Sequence, residues 1–70
     1  MRYLVIVERT GTGYSSHSPD LPGCIATGRS RSAVEREIRA AIDLHLTGMR
    51  EEGLAVPTPT SYATYVEVAA

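Results

Sequence analysis

The 70-residue chain carries a net charge of −1, 43% hydrophobic residues and a single cysteine. That length allows one small domain, 1–70, which buries only roughly 60% of its unfolded surface and needs good packing or a homo-oligomer for further stability. The charge excludes a broad field for nucleic acid or anionic lipid, the lone thiol excludes an internal disulfide, and no apolar run approaches the roughly 18 residues of a membrane span.

Residues 2–8, Arg-Tyr-Leu-Val-Ile-Val-Glu, are apolar and β-branched. Near-continuous hydrophobicity predicts a strand covered on both faces or lying in the middle of a sheet. The N-terminus has no signal-peptide cleavage pattern, and the unpaired Cys24 fits a cytoplasmic protein. Thr10-Gly11-Thr12-Gly13 reads as a hairpin turn. Its glycines evoke a phosphate loop, but Lys is absent and a strand follows where a helix would be needed.

Tyr14–Ser18 is a second, more polar strand and Cys24–Gly28 a third. Between them lies Pro19-Asp20-Leu21-Pro22-Gly23. Each proline holds the preceding residue extended. Pro22-Gly23 fits the central positions of a type II turn, and Asp20 is placed to accept from N–H groups two residues on. Leu21 is the apolar anchor of the corner. Cys24, after the turn, is expected to be a buried, inert thiol.

Ser30 is the favoured helix N-cap; Ser32 competes through a capping box with Glu35. Val34, Ile38, Ala41, Ile42, His45 and Met49 recur at steps of three and four and mark the buried face. Arg31, Glu35, Arg39 and Asp43 form an alternating ladder, read as a solvated face. Gly53 is the natural C-terminal stop, with Gly48 as an earlier alternative. Leu44 and Leu46 flank the apolar stripe, widening it to roughly 200°, about twice what one sheet contact requires. One leucine is then left exposed or offered to a partner. Pro57 and Pro59 make 54–60 an extended connector, and the alternating Tyr-, Thr- and Val-rich segment Ser61–Val68 is a fourth strand.

The order βββαβ predicts a two-layer α+β fold. Its sheet order is 3-2-1-4, with strand 4 parallel to strand 1 and the helix on one face through a right-handed crossover. The apolar first strand would then be central. The opposite face would be bare or covered by a second subunit.

No catalytic constellation assembles from these residues. His17 lies three positions before Asp20, an acid–base pairing in principle, but no nucleophile or metal partner accompanies it. The acidic residues suggest no metal cluster, and no cofactor is expected. A βββα order also evokes double-stranded-RNA binders, yet the helical arginines have acidic neighbours and the total charge is negative.

The string Tyr-x-x-x-x-Pro-Asp-Leu-Pro-Gly-Cys-x-Ala-x-Gly, followed by a Ser-started helix carrying Leu44-His45-Leu46, resembles the HicB-like antitoxins over residues 1 to 60 or so. The family's corner is matched at Pro19, Asp20, Leu21, Pro22, Gly23 and Cys24. The resemblance implies a reduced ribonuclease-H-like sheet that acts by binding and not as an enzyme. The implied partner is a small RNA-cleaving toxin of the HicA type, whose active site would be masked. The partner-binding candidates are Tyr14, His17 and Asp20 around the corner, and Leu44, Leu46 and Met49 on the helix. Many members append a C-terminal DNA-binding domain; this chain stops at Ala70, so no direct DNA binding is expected. An orphan self-assembling domain without a toxin is the alternative reading, and a nuclease or RNA-binding role is a weaker one.

Overall fold

The computed structural model describes all residues 1–70. Three strands come first: β1 (Ile6–Arg9), β2 (Tyr14–His17) and β3 (Ile25–Gly28). They form an antiparallel meander in the order β1-β2-β3. A 21-residue helix, α1 (Arg31–Glu51), follows and packs over β3 and, less extensively, β2. The architecture is α+β, as the apolar periodicities require.

The helix ends are set by local chemistry. Ser30 has extended backbone (φ −136°, ψ 167°), and its hydroxyl accepts from the Ala33 N–H at 3.1 Å, a helix N-cap. At the other end Gly53 adopts φ +72°. The Leu54 N–H then donates to Met49 O and the Gly53 N–H to Arg50 O, the paired bonds of a Schellman stop. Gly53, not Gly48, ends the helix.

The corner between β2 and β3 is a double turn. Leu21 N–H donates to Ser18 O across Pro19-Asp20, and Cys24 N–H donates to Leu21 O across Pro22-Gly23. Gly23 has φ +83°, the positive value that a type II turn demands. The two turns drive Leu21 inward until none of it is exposed. There it joins Cys24, Ile38 and Leu46, with Tyr3, Val5, Ala26, Ala41, Ile42 and Val56 packed around them. Two serines enter this interior. Ser16 Oγ donates to Ala26 O at 3.0 Å and Ser18 Oγ to Leu4 O at 2.9 Å, so neither hydroxyl is orphaned.

The register explains which face the helix covers. Ser16 pairs with Val7 on one side and Ala26 on the other, placing these three on the helix side. Gly28 shares that side. A Cβ at Gly28 would sit 2.5 Å from the Val34 backbone nitrogen, so the start of α1 rests directly on the end of β3. The alternate residues, among them Ile6, His17 and Ile25 in one cross-strand row, line the opposite face. No element of this chain packs on that face.

Two expectations need correction. Residues 61–68 form no strand and join no ladder, with Tyr62, Tyr65, Val66 and Val68 all largely exposed. Consequently β1 is not central. It is an edge strand whose four residues are exposed, and its ladder begins at Ile6, not at Arg2. The periodicity of 61–68 is that of a strand, but pairing needs a partner edge, and in this chain the segment joins no ladder.

Gly28→Ala tests the β3–α1 contact. Overpacking of this kind costs about 1–3 kcal/mol, read as a lower urea midpoint with unchanged m-value. Gly48→Ala, where a Cβ meets nothing within 4 Å, is the control. It is expected to stabilise by about 0.5–1 kcal/mol, because alanine loses less backbone entropy in a helix.

Candidate binding site

The corner does more than turn the chain. The Asp20 carboxylate projects from it and gathers four donors from the connector. Oδ2 accepts the backbone N–H of Thr60 at 3.2 Å and of Ser61 at 3.1 Å. Oδ1 accepts the hydroxyls of the same two residues, each at 3.0 Å. The Asx turn expected at Asp20 is replaced by a bridge spanning forty residues of sequence. The Ser61 N–H contributes most to holding this carboxyl below its ordinary value of 3.8. Partial desolvation opposes it, and the Ser61 hydroxyl and both Thr60 donors add to the lowering. A second bond, from the Tyr3 hydroxyl to Pro57 O, fastens the connector beneath the start of the first strand.

The other corner residues are structural. Leu21 and Cys24 lie in the core, and burial pushes the Cys24 thiol upward in pKa, away from the reactive thiolate. His17 sits in β2 between Ile6 and Ile25, not against Asp20, whose two oxygens are already occupied. No acid–base couple forms. No three His, Cys, Asp or Glu side chains converge on a common point. No helix is long and apolar enough to cross a membrane.

The helix candidates separate. Leu46 is 8% exposed and belongs to the core, so it is not available to a partner. Leu44 is 76% exposed. Met49 and Tyr14 are half-buried. The widened apolar arc therefore resolves as one leucine in and one out, as a single sheet contact dictates. Leu44 does not stand alone. With Ile25, Ala40 and Ala41 it lines a shallow groove where α1 overhangs β3, rimmed by Glu37. Ile25 is 70% exposed. Sequence reasoning passed over it, although strand alternation with buried Cys24 already directed it outward.

A second groove runs along the other side of α1. Its floor is Tyr3, Val5, Val7, Ile38 and Ile42, and its helical wall is the ladder Arg31, Glu35, Arg39 and Asp43. The Gly11-Thr12-Gly13 segment is a tight turn closed by the Thr10 N–H on Gly13 O at 2.8 Å, and β2 follows it directly. No helix N-terminus is available there for phosphate.

Comparison with known proteins places this geometry. The family described as HicB_like antitoxin of bacterial toxin-antitoxin system matches residues 3–69. A UPF0150 protein of Helicobacter pylori (strain J99) is 34% identical over 50 residues, covering 71% of this chain and 69% of that protein. Among solved structures, a chain of the HicA3 and HicB3 toxin-antitoxin complex superposes with a TM-score of 0.73 at 23% identity, over 86% of this chain and 70% of that one. At that identity the superposition establishes the fold.

The Asp20 bridge has a calculable pH dependence. Its carboxyl is lowered in the folded state, so its stabilisation is complete above the unfolded-state value near 4 and disappears as the pH falls through the lower folded value. The Thr60 and Ser61 amides are expected to exchange slowly at pH 6 and to lose that protection on acidification below about pH 4. Asp20→Ala removes the protection at every pH while leaving the helical circular dichroism in place. Hydrogen exchange by NMR reads both.

Proposed function

The chain belongs to the HicB-like antitoxin family of bacterial toxin–antitoxin systems, and from that premise we propose that it neutralises a HicA-type RNA-cleaving toxin by steric masking. The observation that supports this reading is the contiguous apolar surface of Ile25, Ala40, Ala41 and Leu44, two of whose side chains are more than two-thirds exposed. Neighbouring exposed Ile and Leu side chains offer a small apolar surface whose burial against a partner would be favourable. The acidic Glu37 at its rim suits a basic, RNA-handling partner. Tyr14, His17 and Met49 border the exposed faces and extend the candidate surface. Asp20 acts through the connector it holds.

On this reading the protein works by binding, without catalysis, and it acts in the cytoplasm, where a free buried thiol is stable. Self-association belongs to the same reading. Only 7 of 70 residues are buried in a single chain, a small interior that association with a second copy would enlarge. The HicA3 and HicB3 complex, whose fold one chain shares, is a toxin paired with an antitoxin, and an equivalent pairing is proposed here.

The experiment is reconstitution with the product of a short, basic reading frame adjacent to this one. Equimolar antitoxin is expected to abolish RNA cleavage. Full toxin activity at a molar excess of this protein, with no complex in a pull-down, would overturn the proposal. Leu44→Glu is expected to weaken the complex at least tenfold while changing folding stability by no more than about 0.5 kcal/mol, the usual range for an exposed site. Leu46→Ala does the reverse: it costs about 2–5 kcal/mol of stability, because it empties part of the core.

A further inference from the structure

We propose that residues 62–68 leave their own chain and add as a strand to the free edge of β1 in a second copy, which returns its own segment in the same way. This deepens the self-association proposed above and is independent of the toxin.

Four observations converge on it. The first is the segment itself. Tyr62, Thr64, Val66 and Val68 alternate with Ala63, Tyr65 and Glu67, and no proline follows Pro59, so the backbone N–H groups from 62 onward are all present to join a ladder. Yet Tyr62, Tyr65, Val66 and Val68 are 83%, 98%, 79% and 76% exposed. An unpaired segment of strand-like pattern with four large, mainly apolar side chains in water favours pairing with a free edge.

The second is the vacant edge. β1, led into by the apolar residues Tyr3-Leu4-Val5, lies at the sheet margin with all four of its own residues exposed. Because α1 packs over β3 and β2, it leaves β1 uncovered. The groove between β1 and α1 has a volume of about 820 Å³, an apolar floor of Tyr3, Val5, Val7, Ile38 and Ile42, and charged helical residues at its wall. That is the shape and lining of a missing strand position: apolar beneath, polar at the rim. The chain's own Tyr65 borders the groove without burying itself in it.

The third is the launch point. Asp20 holds Thr60 and Ser61 against the β2–β3 corner, and the segment departs from there. The hinge of the exchange is thus a fixed structure, and the clamp orders the last residues before the crossing.

The fourth is area. The chain exposes 5640 Å² for 7.6 kDa, about 1,300 Å² more than a compact monomer of that mass. The radius of gyration is 13.9 Å, against about 11 Å for a compact chain of this length. A reciprocal exchange that removes the excess from both copies buries about 2,600 Å², well above the roughly 1,600 Å² of a standard stable interface. Two-fold symmetry closes the assembly, since each copy donates one segment and receives one.

The test uses the whole chain. Light scattering at tens of micromolar is expected to give a dimer. Amide exchange across 62–68 is expected to be at least tenfold slower than in a free peptide of the same sequence. The midpoint of thermal unfolding is expected to rise with protein concentration. Val66→Pro removes a ladder donor at a largely exposed residue, and is expected to give a folded monomer with the helical circular dichroism retained. A folded monomer places Val66 in an intermolecular ladder. A wild-type monomer would overturn both the exchange and self-association. A dimer with unprotected 62–68 amides, or a folded Val66→Pro dimer, would overturn the exchange and leave self-association by another face.

Discussion

The bridge from Asp20 to Thr60 and Ser61 is the contact on which the arrangement depends. It joins the two parts of the chain that have the least reason to meet: a turn between early strands and a proline-spaced connector after the helix. Four donors converge on one carboxylate. A charged acceptor makes stronger hydrogen bonds than a neutral one, and a lowered carboxyl pKa is the thermodynamic signature of that preference. Without this bridge and the Tyr3–Pro57 bond, the connector would have Val56 as its principal hold on the core.

The corner can hold its carboxylate in place because it is rigid for separate reasons. Two proline-led turns in succession leave little backbone freedom, and Leu21 at their junction is fully buried beside Cys24, Ile38 and Leu46. Burial fixes the corner to the helix, and the corner fixes the connector. A small core of five apolar side chains therefore does two tasks, packing α1 on the sheet and setting where the chain leaves the domain. The same economy leaves surface uncovered: the β1 edge, the row of Ile6, His17 and Ile25, and the Ile25–Leu44 groove. Under the proposed function, these uncovered faces are where partners would dock. The proposed self-assembly and the proposed toxin capture would use different faces and so would not compete.

Much of this was legible before any coordinates. The three strands, the Pro-Gly turn, the Ser30 cap and the Gly53 stop follow from local rules: positive φ at glycine, fixed φ at proline, hydroxyl capping at a helix start. The split between Leu44 and Leu46 followed from helical geometry, though not which of the two would be inside. Other features were not legible. Asp20 has the right chemistry for an Asx turn, and nothing in its neighbourhood announces partners forty residues away. Ile25 reads as one more apolar strand residue until the register places it on the uncovered face. The fourth strand was read correctly as a pattern and wrongly as a pairing, because periodicity reports which side chains share a face and not which edge will receive them.

The amino-acid sequence by itself determined the local conformations and the family, because each rests on interactions within a few residues or on a contiguous motif. Tertiary structure alone decided that α1 would settle over β3 and β2, that Asp20 would clamp the connector, and that β1 would keep an open edge. Those outcomes depend on close approach between distant segments, such as Gly28 beneath Val34. Close approach is settled by the packing of whole surfaces, a property that no short stretch of sequence carries.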